Sequence, residues 1–170
     1  MQVGQNVLAM GYNKQRVKPV DVNGKYLTIS LKEYRQKYPD SIIFHSPFEW
    51  RCYIKLQKRK WKFSCQPTAI ELIPPFKCTS FVKGKVVAAK VQDAVYTPDF
   101  LIETEFGNVY IECKGYFDDT ARMRFKMCQY TLNKIEGNVI LLIKTDLEFD
   151  KLLSLIDSHF NFKKTIKIEL

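Results

Sequence analysis

The feature that most constrains the fold is a pair of alternating apolar runs, AVYTPDFLIE (residues 94–103) and NVYIECKG (residues 108–115). Alternation with a period of two residues predicts half-buried β-strands, and the short spacing between the runs favours an antiparallel hairpin. A half-buried strand normally keeps charge on its solvent-facing side. Here Glu112 and Lys114 share one face with Tyr110. These two charges therefore call for an explanation beyond sheet packing.

The rest of the chain alternates between strand-like runs and amphipathic helical segments. Residues 138–143 (NVILLI) are nearly all apolar, which is typical of a strand covered on both faces. Two helices begin with capping-box spacing, Ser30 with Glu33 and Ser46 with Glu49. The predicted helices are one within 30–40 that ends before Pro39, and 45–61, 118–137 and 146–160. Residues 22–30 are expected to begin with an Asn-Gly turn and continue as a short strand, and the other predicted strands are 62–66, 68–73, 76–82, 85–91, 94–103, 108–115, 138–143 and 165–170.

The order of these elements predicts an α/β or α+β domain with a central mixed β-sheet flanked by helices. A hairpin near Gly84 joins the strands at 76–82 and 85–91. Residues 1–40 are expected to form a basic N-terminal arm with a short strand and a helix. Residues 41–170 are expected to form the main domain.

The balance of charge points to a polyanionic partner. Lysine and arginine number 27 against 18 for aspartate and glutamate, giving a net charge of +9. A domain this basic often binds DNA or RNA. Residues 51–62 hold six basic side chains and no acid, and residues 77–90 hold four and no acid, although a solvated surface would also account for either cluster. The basic residues of the first cluster that we expect to contact phosphates are Lys55, Lys58, Arg59 and Lys60.

Composition argues against several other classes of protein. No apolar run approaches the roughly 20 residues of a membrane helix, and the first residues lack the pattern of a signal peptide. The five cysteines show no C-x-x-C spacing and lie far in sequence from both histidines. This disfavours a structural zinc site or a disulfide framework. We therefore expect a cytoplasmic protein with reduced thiols.

Asp99 and Glu112 form the pattern with the clearest chemistry. They are 13 residues apart (112 − 99 = 13), so pairing of their strands would bring the two carboxylates together. Pro98 favours a bulge that turns Asp99 toward Glu112. Neighbouring carboxylates repel each other, and a divalent cation relieves that repulsion; oxygen ligands suit Mg²⁺, with Mn²⁺ as a substitute. Lys114 could orient an attacking water or stabilise charge developing on phosphorus, as phosphodiester hydrolysis requires.

The sequence TPDF followed by YIECKG resembles the signature of the PD-(D/E)XK nuclease superfamily. The matching residues are Pro98, Asp99, Glu112, Cys113 and Lys114. The resemblance implies a restriction-endonuclease-like core within residues 41–170. It also implies that Asp99 and Glu112 bind the metal ion and that the backbone carbonyl of Cys113 could be a third ligand. Lys114 would then be the catalytic lysine.

The same resemblance assigns roles to two helices. Members of the superfamily often add a glutamate from a helix before the core strands, and Glu49 matches that position. A capping box with Ser46 would also account for Glu49, and the two roles are compatible. The helix after the motif would lie near DNA phosphates through Arg122, Arg124 and Lys126.

Residues 46–145 carry the resemblance, and the first 40 residues do not. Residues 96–125 are similar to phage Holliday-junction resolvases of the endonuclease I type and to related small phage nucleases. This implies a Mg²⁺-dependent endodeoxyribonuclease selective for branched DNA, acting as a homodimer in the host cytoplasm if it is phage-encoded. Three alternatives stay open: a transposase-type endonuclease subunit that needs a protein partner, a DNA-binding or packaging accessory that does not cut, and RNA as the substrate.

Overall fold

The structure, a computed structural model, describes residues 19–105, 107–115 and 118–166, with side chains up to residue 158. The chain divides into two compact units, Met1–Ser46 and Pro47–Leu170. The three basic residues expected in the N-terminal arm, Lys14, Arg16 and Lys18, lie outside the described ranges. No helix in these ranges combines the length and the apolar character that crossing a membrane requires.

The first unit contains helix α1 (Leu31–Lys37). Its N-terminus has the predicted capping box: the backbone N–H of Glu33 donates to Ser30 Oγ at 3.2 Å, and the Ser30 N–H donates to Glu33 Oε2 at 2.9 Å. The strand predicted at 22–30 is wrong, because Val20 makes only isolated bridges there, to Tyr26 and Phe44. The Asp21 carboxylate accepts two backbone N–H groups of the following turn, which competes with strand pairing.

The second unit holds the remaining described helices and strands. They are α2 (Pro47–Gln57), β1 (Phe63–Cys65), β2 (Ile70–Ile73), β3 (Phe76–Val82), β4 (Lys85–Val91), β5 (Ala94–Tyr96), β6 (Phe100–Thr104), β7 (Gly107–Cys113), α3 (Asp119–Leu132), β8 (Val139–Ile143) and α4 (Asp146–Ile166). This mixture of helices and sheet confirms the predicted α+β class.

The central sheet has the strand order β1-β6-β7-β8. Strands β1, β6 and β7 pair in antiparallel fashion, whereas β8 joins β7 in parallel, so the sheet is mixed as predicted. The chain returns to the sheet from β7 to β8 through α3, the crossover that a parallel pair requires. β6 and β7 are the central strands, and β8 is an edge strand. Because β7 and β8 are parallel, their last residues lie at the same end of the sheet.

The two faces of the sheet carry different residues. On one face, a buried cluster joins Tyr96, Phe125, Cys128, Leu132 and Ile140, so α3 packs there. On the other face, Phe100 and Ile111 are register partners and are fully buried. Burial of these large apolar side chains is the main force that holds the sheet against its helices.

The run predicted as one strand at 94–103 is divided in the structure. β5 pairs with β2 in a two-stranded sheet, whereas β6 belongs to the central sheet. Residues 97–99 make the change between the sheets, where Pro98 is buried and cannot donate a ladder hydrogen bond. The proline therefore ends β5 and leaves Asp99 at the start of β6.

The strand predicted at 165–170 is wrong for its first two residues, because α4 continues through Ile166. The remaining residues, 167–170, lie outside the described part of the chain. No glycine or proline interrupts 146–166, so nothing in the sequence ends the helix where the alternating pattern begins.

Strands β3 and β4 form a separate two-stranded hairpin, the β3–β4 ribbon (residues 76–91). All seven residues of each strand pair, from Phe76 with Val91 to Val82 with Lys85. Lys83 and Gly84 form the two-residue turn with positive φ angles of 49° and 79°. This is the turn geometry that matches strand twist in a hairpin, and it confirms the hairpin predicted near Gly84.

Candidate functional site

The β6–β7 hairpin brings Asp99 and Glu112 to the same end of the central sheet. Phe100 is paired with Ile111, so the next position outward places Asp99 beside Glu112. The Asp99 N–H donates to the Ile111 carbonyl at 3.0 Å, and the Cys113 N–H donates to Asp99 Oδ2 at 2.7 Å. The carboxylate of Asp99 thus takes a place in the ladder that a backbone carbonyl would otherwise fill. This contact fixes the orientation of the Asp99 carboxylate.

Glu112 is a buried acid on the α3 face of the sheet. Only 7% of its surface is exposed, and its register partner on β8 is Leu142. Lys114 Nζ lies 3.6 Å from Glu112 Oε1, and the Lys114 side chain is 39% exposed. The predicted placement of Glu112 and Lys114 on one side is therefore confirmed. The glutamate is held in the interior while the ammonium group remains accessible from solvent.

Glu49 lies on the buried side of α2. The buried residues of this helix are Glu49, Cys52 and Leu56, a spacing of three and four residues that forms one stripe. A carboxylate oxygen of Glu49 lies within 4.8 Å of a carboxylate oxygen of Asp99, and a metal ion could bridge that separation. Glu112 is not in that closest group. Its charge nevertheless interacts with both other carboxylates.

The electrostatics of this cluster oppose full ionisation. Burial holds the pKa of Asp99 well above its ordinary value, and the charges of Glu49 and Glu112 raise it further. Burial also raises the pKa of Glu112, while the Lys114 ammonium opposes that rise. A divalent cation among these oxygens would remove the cause of both shifts. Carboxylates that are costly to ionise alone are thus a suitable donor set for such a cation.

Cys113 contributes differently from its neighbours. Its side chain points away from Glu112 and Lys114, and its thiol contacts that of Cys52 in α2. This contact, together with burial, raises the pKa of the Cys113 thiol, so the sulfur stays protonated. Of the groups on Cys113, the backbone carbonyl rather than the thiol is suited to an oxygen-loving metal.

Tyr96 belongs to this site although its sequence context indicates only a packing aromatic. Its ring packs edge-on against Phe125, with ring centroids 6.2 Å apart. Its hydroxyl is buried and meets no partner at hydrogen-bond distance and angle among the described residues. Burial raises the pKa of the Tyr96 hydroxyl, and the nearby Glu112 carboxylate raises it further. A buried hydroxyl that interacts with a buried acid is the signal, and only the fold reveals it.

Two of the basic residues predicted to contact phosphates, Lys55 of α2 and Arg59 just after it, form ion pairs with α4. Lys55 Nζ lies 3.2 Å from Asp146 and 2.9 Å from Asp150. Arg59 Nε lies 3.2 Å from Asp157. The positive charge of these two residues is therefore largely neutralised within the protein.

The other predicted phosphate contacts are more accessible. Arg122 lies 4.0 Å from Asp119 and is 58% exposed, and Arg124 donates a hydrogen bond to the backbone carbonyl of Val95. Asp118 caps α3 by accepting the Ala121 N–H at 2.8 Å. The exposed lysines among the predicted contacts are Lys58, Lys60 and Lys126.

Comparison with known proteins gives one match. No curated protein and no solved structure matches the chain. The model of one protein family, DUF1064, described as a protein of unknown function, matches residues 31–146. The match covers α1, α2 and the whole central sheet, including Glu49, Asp99, Glu112 and Lys114. Because it spans more than half of the chain, this protein belongs to the DUF1064 family.

Proposed function

We propose that this protein is a metal-dependent endodeoxyribonuclease with a PD-(D/E)XK-type site. The observation that carries the proposal is the geometry at the end of the β6–β7 hairpin. Asp99 and Glu112 occupy neighbouring positions there, Lys114 lies 3.6 Å from Glu112, and Glu49 lies within 4.8 Å of Asp99. Three acids and a lysine from three separate places in the sequence thus converge at one end of the sheet.

The residues present fit a divalent cation that prefers oxygen. Asp99 and Glu112 would hold it, with Glu49 and the backbone carbonyl of Cys113 as further ligands. Burial raises the pKa of both Asp99 and Glu112, so their negative charge is costly to hold there without a cation beside it. Mg²⁺, or Mn²⁺ in its place, would supply Lewis acidity and a bound water of lowered pKa.

Each side chain has a role that its position supports. The Cys113 N–H holds the Asp99 carboxylate in place, which limits the reorganisation needed when a substrate binds. The half-exposed Lys114 ammonium is placed to orient the attacking water and to stabilise negative charge on the phosphate. Glu112, 3.6 Å from that ammonium, would direct it toward the same end of the sheet.

We further propose selectivity for branched DNA and action as a homodimer, because symmetric cuts across a four-way junction need two sites. The net charge of +9 supports a polyanionic substrate. The five cysteines carry free thiols, as suits a protein of the reducing cytoplasm.

A cleavage assay tests the proposal. The protein is incubated with a four-way junction, a linear duplex, a single strand and an RNA duplex, each with Mg²⁺ or with EDTA. We expect Mg²⁺-dependent cuts in the junction, and a loss of at least about 10³-fold for Lys114→Ala. Lys134→Ala, on the surface at the end of α3, serves as the charge-matched control and should cleave normally.

Four results would contradict the proposal. Cleavage that survives EDTA, or undiminished cleavage by Lys114→Ala, would exclude the assigned chemistry. DNA binding without cleavage under any divalent cation would favour a non-cutting accessory protein. Cleavage that appears only when a second protein is added would favour a transposase-type subunit.

A further inference from the structure

The β3–β4 ribbon carries a concentration of positive charge. Between residues 77 and 90 there are four lysines and no acid. All four are exposed, and none of them takes part in the ion pairs found among the described residues. The ribbon pairs only with itself and is not part of the central sheet. The four lysines are Lys77, Lys83, Lys85 and Lys90.

The two faces of the ribbon differ in exposure. One face is partly covered, since Cys78, Ser80 and Ala89 are half-buried. The other face is exposed along its full length, which is about 23 Å at the usual rise per residue. A two-stranded ribbon with a bare face is only marginally stable by itself in water. The residues of this exposed face are Lys77, Thr79, Phe81, Val86, Ala88 and Lys90.

The base of the exposed face holds an unfavourable pair. Lys77 and Lys90 are direct cross-strand partners on this face. Side chains at such positions have Cβ atoms roughly 5 Å apart, and like charges there destabilise a sheet. An anion held between the two ammonium groups would convert this repulsion into attraction. A phosphate of a nucleic acid backbone has the charge and the size for that place.

The tip of the same face is apolar. Phe81 and Val86 are cross-strand partners and are 74% and 72% exposed. Lys83 lies in the turn next to this pair, and Lys85 lies on the opposite face of the ribbon. The Phe81 and Val86 pair therefore has Lys83 on its turn side and the Lys77 and Lys90 pair on its base side. This arrangement combines groups that bind phosphates with groups that contact base edges.

We propose that the exposed face of the β3–β4 ribbon lies in the major groove of duplex DNA. The major groove is about 12 Å wide and admits a two-stranded ribbon. Lys77 and Lys90 contact phosphates at the groove edge, and Phe81 with Val86 reaches the bases. The inference rests on the proposed function in taking DNA as the partner. It adds the element that holds the duplex outside the site of cleavage.

Fluorescence anisotropy with a short labelled duplex tests the proposal, with EDTA present so that no cleavage occurs. Binding is measured across a series of salt concentrations. Lys77→Gln with Lys90→Gln should weaken binding at least about tenfold and reduce the slope of log K against log salt by about 2, because each phosphate contact contributes about 0.9. Phe81→Ala with Val86→Ala should weaken binding several-fold and leave the slope unchanged. Lys134→Gln with Lys151→Gln, which removes the same charge elsewhere, should have little effect.

The outcomes separate this inference from the proposed cleavage. The lysine variant removes a repulsion, so it is expected to fold at least as well as the natural protein. If its salt slope equals that of the Lys134 and Lys151 control, the ribbon does not hold DNA, even if the protein cleaves. If the slope falls while no cleavage is found with Mg²⁺, the ribbon inference stands and the proposed function fails. A dimer in DNA-free solution that Phe81→Ala with Val86→Ala dissociates would assign the ribbon to a second copy and overturn the inference.

Discussion

Helix α2 and the β3–β4 ribbon are both rich in basic residues, and they differ in what neutralises that charge. Along α2, Arg51 Nη2 lies 2.8 Å from Asp146, and Lys55 lies 2.9 Å from Asp150. Along the ribbon, no acid lies between residues 77 and 90, and its lysines are exposed. Similar clusters in the sequence thus have different physical roles: one joins two helices, and the other remains available for a partner.

The spacing of the basic residues explains the difference between α2 and the ribbon. The basic residues of α2 recur at intervals of four, which places them on one side of the helix facing the acids of α4. Alternation along the ribbon instead places Lys77 and Lys90 side by side. Whether a run binds an anion therefore depends on acids that are distant in sequence. Arg51 and Asp146, for example, are 95 residues apart.

Inverting charge on the ribbon should have the largest effect on DNA binding. Lys77→Glu with Lys90→Glu removes two phosphate contacts and adds repulsion, so duplex affinity should fall on the order of 10²-fold at moderate salt. Arg51→Glu with Asp146→Arg exchanges the charges of an ion pair at constant net charge, and affinity should stay within about threefold. Electrophoretic mobility shifts measure both. Equal losses of affinity in the two variants would erase the distinction between the regions.

Neutralising charge on α2 should affect stability more than binding. Arg51→Gln with Lys55→Gln leaves acids of α4 without partners, and we expect a loss of about 1 kcal/mol, since exposed pairs contribute little each. The urea midpoint measures this loss. Lys58→Gln with Lys60→Gln removes the same charge from exposed positions near the end of the helix. This control should leave the urea midpoint nearly unchanged, and a midpoint equal to that of the Arg51 and Lys55 variant would show that the ion pairs do not hold α2 to α4.

The smallest expected effect is the pH dependence of the α2–α4 ion pairs. The hydrogen bonds from Arg51 hold the pKa of Asp146 below its ordinary 3.8. A carboxyl with a lowered pKa stabilises the fold above that ordinary value, and the contribution is lost as the pH falls through the still lower folded pKa. The melting temperature of the natural protein should therefore exceed that of Asp146→Asn at pH 5 to 7. The gap should begin to narrow as the pH falls below about 4 and should close once the pH is below the folded pKa of Asp146. A gap that does not narrow over this range would contradict this origin.

Local signals in the sequence were sufficient to predict much of the fold. Each of Ser30 and Glu33 accepts the backbone N–H of the other at the start of α1, and Pro47 is the first residue of α2. Both features could be predicted because helix capping depends on neighbours in sequence. Alternation in β7 correctly separates Glu112 from Cys113 on opposite faces. The same signals failed at 94–103, because the division at Pro98 depends on which sheet each half joins.

The candidate site was predictable to a similar extent. Asp99, Glu112 and Lys114 follow from one hairpin, whose pairing the sequence indicates. The burial of Glu49 could be suspected from its position three residues before Cys52 on the apolar stripe of α2. The proximity of the buried Tyr96 hydroxyl to Glu112 could not be predicted, since it results from packing between β5 and α3.

Diffraction from crystals soaked in Mn²⁺, recorded at the manganese absorption edge, tests the central claim most directly. The account predicts an anomalous peak about 2.1 Å from carboxylate oxygens of Asp99 and Glu112, and no peak in crystals of Asp99→Asn. Glu112→Gln should weaken or remove the same peak. Well-ordered carboxylates of Asp99 and Glu112 with no manganese beside them, or a peak that Asp99→Asn leaves unchanged, would contradict the assignment of this site as a metal centre.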